Sequence, residues 1–80
     1  MTPIQQLFGE VVREFRQRIG LSQEDFADKA GIHRTYVSSI ERGRVQISIA
    51  IAQKVADALG IPLSRIWRTI ESRSVRTKRG

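Results

Sequence analysis

Apolar residues recur along this chain at intervals of three and four, the spacing of one face of an α-helix. Glycines and small polar residues interrupt the pattern. Ile4, Leu7, Phe8, Val11, Val12, Phe15 and Ile19 form the first stripe. Thr2-Pro3-Ile4-Gln5 reads as its start: Thr2 can cap, Pro3 suits the first helical position, and Gln5 completes a capping box. Gly20 supplies the C-terminal stop. Ser22 caps a second helix, with Glu24 and Asp25 in the first turn, where the helix dipole favours acids. Phe26, Ala27 and Ala30 face inward and Gly31 ends it. A third helix follows after a tight link, from about Arg34 to Arg42, closed by Gly43. Two short helices joined so closely must cross at a steep angle. Arg44 to Ile47 form a loop, Ser48 caps a fourth helix, and Ile49, Ala52, Val55, Ala56 and Leu59 make its stripe up to Gly60. After the turn Ile61-Pro62-Leu63, Ser64 caps a fifth helix carrying Ile66, Trp67 and Ile70. From Ser72 the chain is polar and basic and is expected to fray. No strand pattern and no internal repeat is present. The expectation is an all-α fold of five helices, with one domain over residues 1–71 and a flexible basic tail over residues 72–80.

Length tightens this picture. A chain of 80 residues can bury only about 60% of its unfolded surface, so it needs tight helix packing or a partner subunit. It has no cysteine and one histidine, His33. Disulfides and cysteine metal sites are thereby excluded and a histidine metal site is disfavoured; no metal or other cofactor is expected. The longest apolar run, Ile49 to Ala52, is far short of a membrane span. The N-terminus lacks the basic-then-apolar pattern of a signal peptide. A cysteine-free chain suits the cytoplasm.

The net charge of +6 and pI near 11.1 point to an anionic partner, of which nucleic acid is the commonest. The charge is uneven. Residues 1–60 hold eight Lys/Arg and seven Asp/Glu, whereas residues 61–80 hold six and one. The excess thus belongs mostly to the tail, which can serve solubility or electrostatic attraction.

The third helix carries the chemistry. On a wheel of about 100° per residue, Val37 and Ile40 point to the core, with His33 and Glu41 near that side. Thr35, Ser38, Ser39 and Arg42 point away, and Arg34 and Tyr36 lie on opposite flanks. Short outward side chains let the helix axis come close to what it meets, as entry into a DNA major groove about 12 Å wide requires. Arg34 can donate two hydrogen bonds to guanine O6 and N7, and Thr35 and Ser39 can bond bases or phosphates. Arg42 and Arg44 follow the groove-facing turns, where phosphate contact is expected. An ordinary solvated face would carry Glu and Lys at i,i+4 spacing instead. His33 either starts the helix at the surface or senses pH or touches a phosphate. Tyr36 either covers the core or reaches the DNA backbone through its hydroxyl. Ile66, Trp67 and Ile70 either finish the core or form a dimer interface, the reading favoured here. A two-fold dimer sets recognition helices about 34 Å apart and implies a near-palindromic operator. Ser22, Asp25 and Asp28 offer no nucleophile paired with a base. With no phosphate-binding glycine loop and no metal-ligand cluster, catalytic residues are not expected.

The stretch "LSQEDFADKAGIHRTYVSSIERG", Leu21 to Gly43, resembles the helix-turn-helix of the Cro, CI and Xre-like repressors. Gln23, Ala27, Gly31, Val37, Ile40 and the closing "IERG" all fall in register. The likeness extends to "FGEVVREFR" before and "IAQKVADALGIPLSRIW" after, covering about residues 8–67. It implies a compact, lambda-repressor-like domain with the helix-turn-helix at helices two and three. Gln23 would contact a phosphate or brace a base-reading residue. Arg34, Thr35, Ser38 and Ser39 would face bases, Arg42 and Arg44 phosphates, and Arg16 and Glu41 would form an internal ion pair. "GIHRTYVSSIERG" followed by a short helix is similar, within that family, to the controller proteins of restriction–modification operons. The "RTY" segment carries this closer comparison. Those proteins are small, lack a separate sensory domain and work as dimers on paired sites. Two departures are the missing proline within Val45 to Ile47 and the basic tail from Arg73 to Arg79.

The expected function is a homodimeric, sequence-specific regulator on double-stranded DNA, blocking or recruiting RNA polymerase. Alternatives are a phage or plasmid repressor, or an antitoxin-type interaction module whose DNA binding is secondary. Only residues 72–80 are left over to bind a second protein, which argues against the module. Non-specific binding of nucleic acid or a membrane surface through the tail is a third reading.

Overall fold

A computed structural model describes the backbone of residues 3–79 and the side chains of residues 3–74. Five helices follow in order: α1 (Ile4–Arg18), α2 (Gln23–Ala30), α3 (Arg34–Glu41), α4 (Ile49–Leu59) and α5 (Leu63–Arg79). The described residues contain no strand. Two starts follow the capping rule, in which a side-chain oxygen takes a free N–H of the first turn. Ser22 Oγ accepts from Asp25 N–H at 3.0 Å and Ser48 Oγ from Ile51 N–H at 3.1 Å.

Two other starts differ from expectation by one residue. Pro3 is the N-cap of α1, not its first helical residue, because its ψ of 144° is extended. Its carbonyl instead accepts from the N–H groups of Gln6 and Leu7. Thr2, the expected cap, lies outside the described residues. Helix α5 begins at Leu63, so Ser64 sits in its first turn rather than capping it. Nor does α5 fray at Ser72: its backbone stays helical through Arg79. No Gly or Pro lies between residues 63 and 79 to break it, and Arg73 forms an ion pair with Glu14 of α1.

Helix α1 is the central strut and packs against α3, α4 and α5, while α2 packs on α3 and α4. The core joins Phe8, Val11 and Val12 of α1, Phe26 of α2, Val37 and Ile40 of α3, Val55 of α4, and Ile66 and Ile70 of α5. This overturns part of the expected dimer interface. Ile66 and Ile70 are almost wholly inaccessible. Their i,i+4 spacing puts both on the side of α5 that meets its own domain. Trp67, about 100° round the helix from Ile66, remains 39% exposed beside the Phe8 ring. Ile4, Ile19 and Ile49 were expected to face inward and are instead 55%, 45% and 84% exposed. All three sit at helix ends: Ile4 and Ile49 open α1 and α4, and Ile19 is the C-cap of α1.

No helix among the described residues is long and apolar enough to cross a membrane.

Candidate nucleic-acid interface

The turn between α2 and α3 is made by Gly31, whose left-handed φ of 71° suits glycine because it has no Cβ to clash. Its neighbour Ile32 donates its N–H back to Ala27 O at 3.0 Å. The chain thus reverses within a few residues and delivers His33 as the N-cap of α3. His33 Nδ1 accepts from Thr35 N–H at 3.1 Å and lies 2.6 Å from Thr35 Oγ1. His33 is therefore a helix-start residue.

The inner side of α3 is locked. Val37 and Ile40 are buried, and Glu41 and Arg16 are more than nine-tenths buried as whole residues. Arg16 Nε donates to Glu41 Oε2 at 2.6 Å and Nη2 to Glu41 Oε1 at 3.0 Å. This is the two-pronged geometry that a guanidinium is shaped to make. Arg16 Nη1 donates to Leu21 O at 2.7 Å. Gln23 Nε2 donates to Glu41 Oε1 at 3.0 Å, so one carboxylate ties α1, α2 and α3 together. Among the described residues no buried side-chain polar atom lacks a partner, as a buried ion pair requires if it is not to destabilise the fold.

Two glycines let α1 come this close. A Cβ on Gly9 would stand 2.2 Å from Ile40 O and 2.8 Å from Glu41 O. Gly43, at a φ of +69°, would meet Gln6 Cα at 2.8 Å.

The outer side of α3 is open. Arg34, Thr35, Arg42 and Arg44 are exposed, and Ser38 and Ser39 are half-buried. Arg42 Nη2 donates to Ser38 Oγ at 2.8 Å, so that arginine lies along the outer face rather than extending from it. Tyr36 is half-buried against the core cluster. Arg34, Thr35, Ser38, Ser39 and Arg42 thus share one short helix, Arg44 follows it, and Gln23 is joined to it through Glu41. An open groove of about 400 Å³ beside α3 is lined by Arg13, Arg16, Gln23, Ser38, Glu41 and Arg42. Arg13 was missed in the sequence, where its signal was its position three residues before Arg16. Arg16 is paired with Glu41, and Arg13, Arg34, Arg42 and Arg44 add further cations on or beside α3.

Trp67 belongs elsewhere. It lines an apolar groove of about 580 Å³ with Ile4, Phe8, Ile47, Ile49 and Leu63, and no charged side chain among the described residues lines it.

Comparison with known proteins agrees with this architecture. A family model described as helix-turn-helix matches residues 12–66. The control protein C.MunI of Mycoplasma sp is 39% identical over 72 residues, which cover 89% of this chain and 97% of that protein. Control protein C.BamHI of Bacillus amyloliquefaciens is 42% identical over 59 residues, covering 72% of this chain and 73% of the relative. The crystal structure of the restriction-modification controller protein C.AhdI from Aeromonas hydrophila is similar at a TM-score of 0.76 and 39% identity, covering 78% of this chain and 94% of that one. The chain belongs to the helix-turn-helix family of DNA-binding transcription regulators, of the Cro/CI/Xre type.

Proposed function

We propose that this protein is a restriction–modification controller protein, a homodimer that reads a near-palindromic operator with α3. One observation carries the reading: the inner side of α3 is locked to α1 and α2, while its outer side presents short hydroxyl side chains rimmed by arginines. Arg34, Thr35, Ser38 and Ser39 face bases, and Gln23, Tyr36, Arg42 and Arg44 face the backbone. Phosphate contacts position the helix and base contacts specify the sequence. The protein works in the cytoplasm by occupying its operator, which blocks or recruits RNA polymerase; it is a regulator and not an enzyme. Support comes from the two control proteins it resembles over most of their length.

The dimer forms through the groove around Trp67. Ile4, Ile49 and Trp67 are large, apolar and exposed, and their clustering marks an interaction surface. Residues 1–71 hold the DNA-binding machinery, and the basic residues from 72 onward add sequence-independent attraction.

The test is binding to labelled genomic fragments under excess random-sequence competitor. Retention of a few fragments, lost on Arg34→Ala, supports the reading; equal retention of all fragments contradicts it. Ile49→Ser with Trp67→Ala should weaken self-association about tenfold or more. Sedimentation should then show folded monomers at concentrations where the wild type is dimeric.

A further inference from the structure

We infer that His33 sets the hydrogen-bonding polarity of Thr35, leaving its hydroxyl an acceptor toward DNA and directing it to a base edge that carries an amino group. The inference rests on the proposal that α3 enters the major groove.

The logic starts from a group whose role is fixed. The backbone N–H of Thr35 can only donate, and it meets His33 Nδ1 at 3.1 Å. In the neutral ring Nδ1 therefore holds the lone pair and Nε2 the hydrogen. Thr35 Oγ1 stands 2.6 Å from that same Nδ1. Two lone pairs facing each other at that distance would repel, so the hydroxyl hydrogen points at Nδ1. A threonine hydroxyl has one hydrogen and two acceptor sites. With the hydrogen committed to His33, an exposed Thr35 offers solvent only its acceptor side.

In the major groove, acceptors pair with adenine N6 and cytosine N4, the two amino groups on display there. Guanine O6 and N7 and thymine O4 are acceptors themselves. Thr35 thus selects amino edges and rejects carbonyl edges at the position it faces. An unconstrained threonine hydroxyl rotates to suit and takes either. His33 touches no base in this scheme; it is a positioning residue that makes an indifferent side chain discriminate.

The test uses the duplex that the wild-type protein selects from random sequences. The position faced by Thr35 is the one at which Thr35→Val flattens base preference. There, four duplexes carry the four base pairs, and each variant's affinities are compared within that variant. Loss of the α3 cap, which weakens binding to all four alike, then cancels. Wild type should favour the amino edge over a carbonyl in the same place by about tenfold. His33→Asp, whose carboxylate also only accepts, should keep that ratio. His33→Ala should reduce it to about twofold or less. The inference is overturned if His33→Ala keeps the wild-type ratio, or if the selected base presents only acceptors to Thr35. If the wild type selects no sequence at all, the DNA-reading proposal itself falls.

Discussion

The two sides of α3 are both rich in hydrogen bonds, yet the bonds differ in reach. On the inner side, Glu41 binds Arg16, 25 residues away in sequence, and Gln23, 18 residues away. On the outer side, His33 binds Thr35 two residues on, and Arg42 binds Ser38 four residues back. The long-range bonds hold helices together and cannot open without moving α1 or α2. The local bonds close only within α3 and its caps: that of Arg42 can open without moving another helix, and that of His33 holds the first turn of α3 in place. On the proposed reading, stability and recognition occupy opposite sides of a single eight-residue helix.

Substitutions on the two sides should therefore fail in different assays. Glu41→Ala strands the buried Arg16 guanidinium and should cost about 3–5 kcal/mol of folding stability, read as a lower urea midpoint without DNA. The paired change Arg16→Met with Glu41→Leu should recover most of that loss, since no charge is then left uncompensated. Gly9→Ala puts a methyl into the α3 backbone and should cost about 1–3 kcal/mol of stability by overpacking; an unchanged midpoint would mean that α1 and α3 are not in close contact. On the other side, Arg34→Ala should leave the unfolding free energy within about 0.5 kcal/mol of wild type. It should weaken operator binding by about 1–3 kcal/mol and relax preference at one base pair. Smallest is Arg42→Ala, which should weaken all sequences alike and lower the salt-dependence slope by about 1. An outer-side change that unfolds the protein would break the comparison.

Much of this division was legible in the sequence because helical spacing assigns sides. Val37, Ile40 and Glu41 read as inward, and the serine caps at Ser22 and Ser48 and the glycine stops read as boundaries. Spacing does not say which neighbour covers a side. Ile66 and Ile70 looked free for a dimer but meet this chain's own core, whereas Ile4 and Ile49, counted as core, lie exposed at helix starts. A mid-helix glycine such as Gly9 costs about 1 kcal/mol relative to Ala by propensity, and its meaning lies in the α3 backbone 31 residues further on. Polarity alone does not locate the end of α5, whose backbone continues past Ser72, where Arg73 has Glu14 within reach. The role of His33 as a cap depends on its own ring nitrogen facing the Thr35 N–H, and residue type alone leaves that orientation open.

The central claim is that two copies of α3, held by one dimer, read a symmetric site. Selection of bound sequences from random duplex DNA tests it most directly. The account predicts an enriched site of two inverted half-sites centred about one helical turn, 34–36 Å, apart. No enrichment, or a single half-site without a symmetric mate, would contradict it.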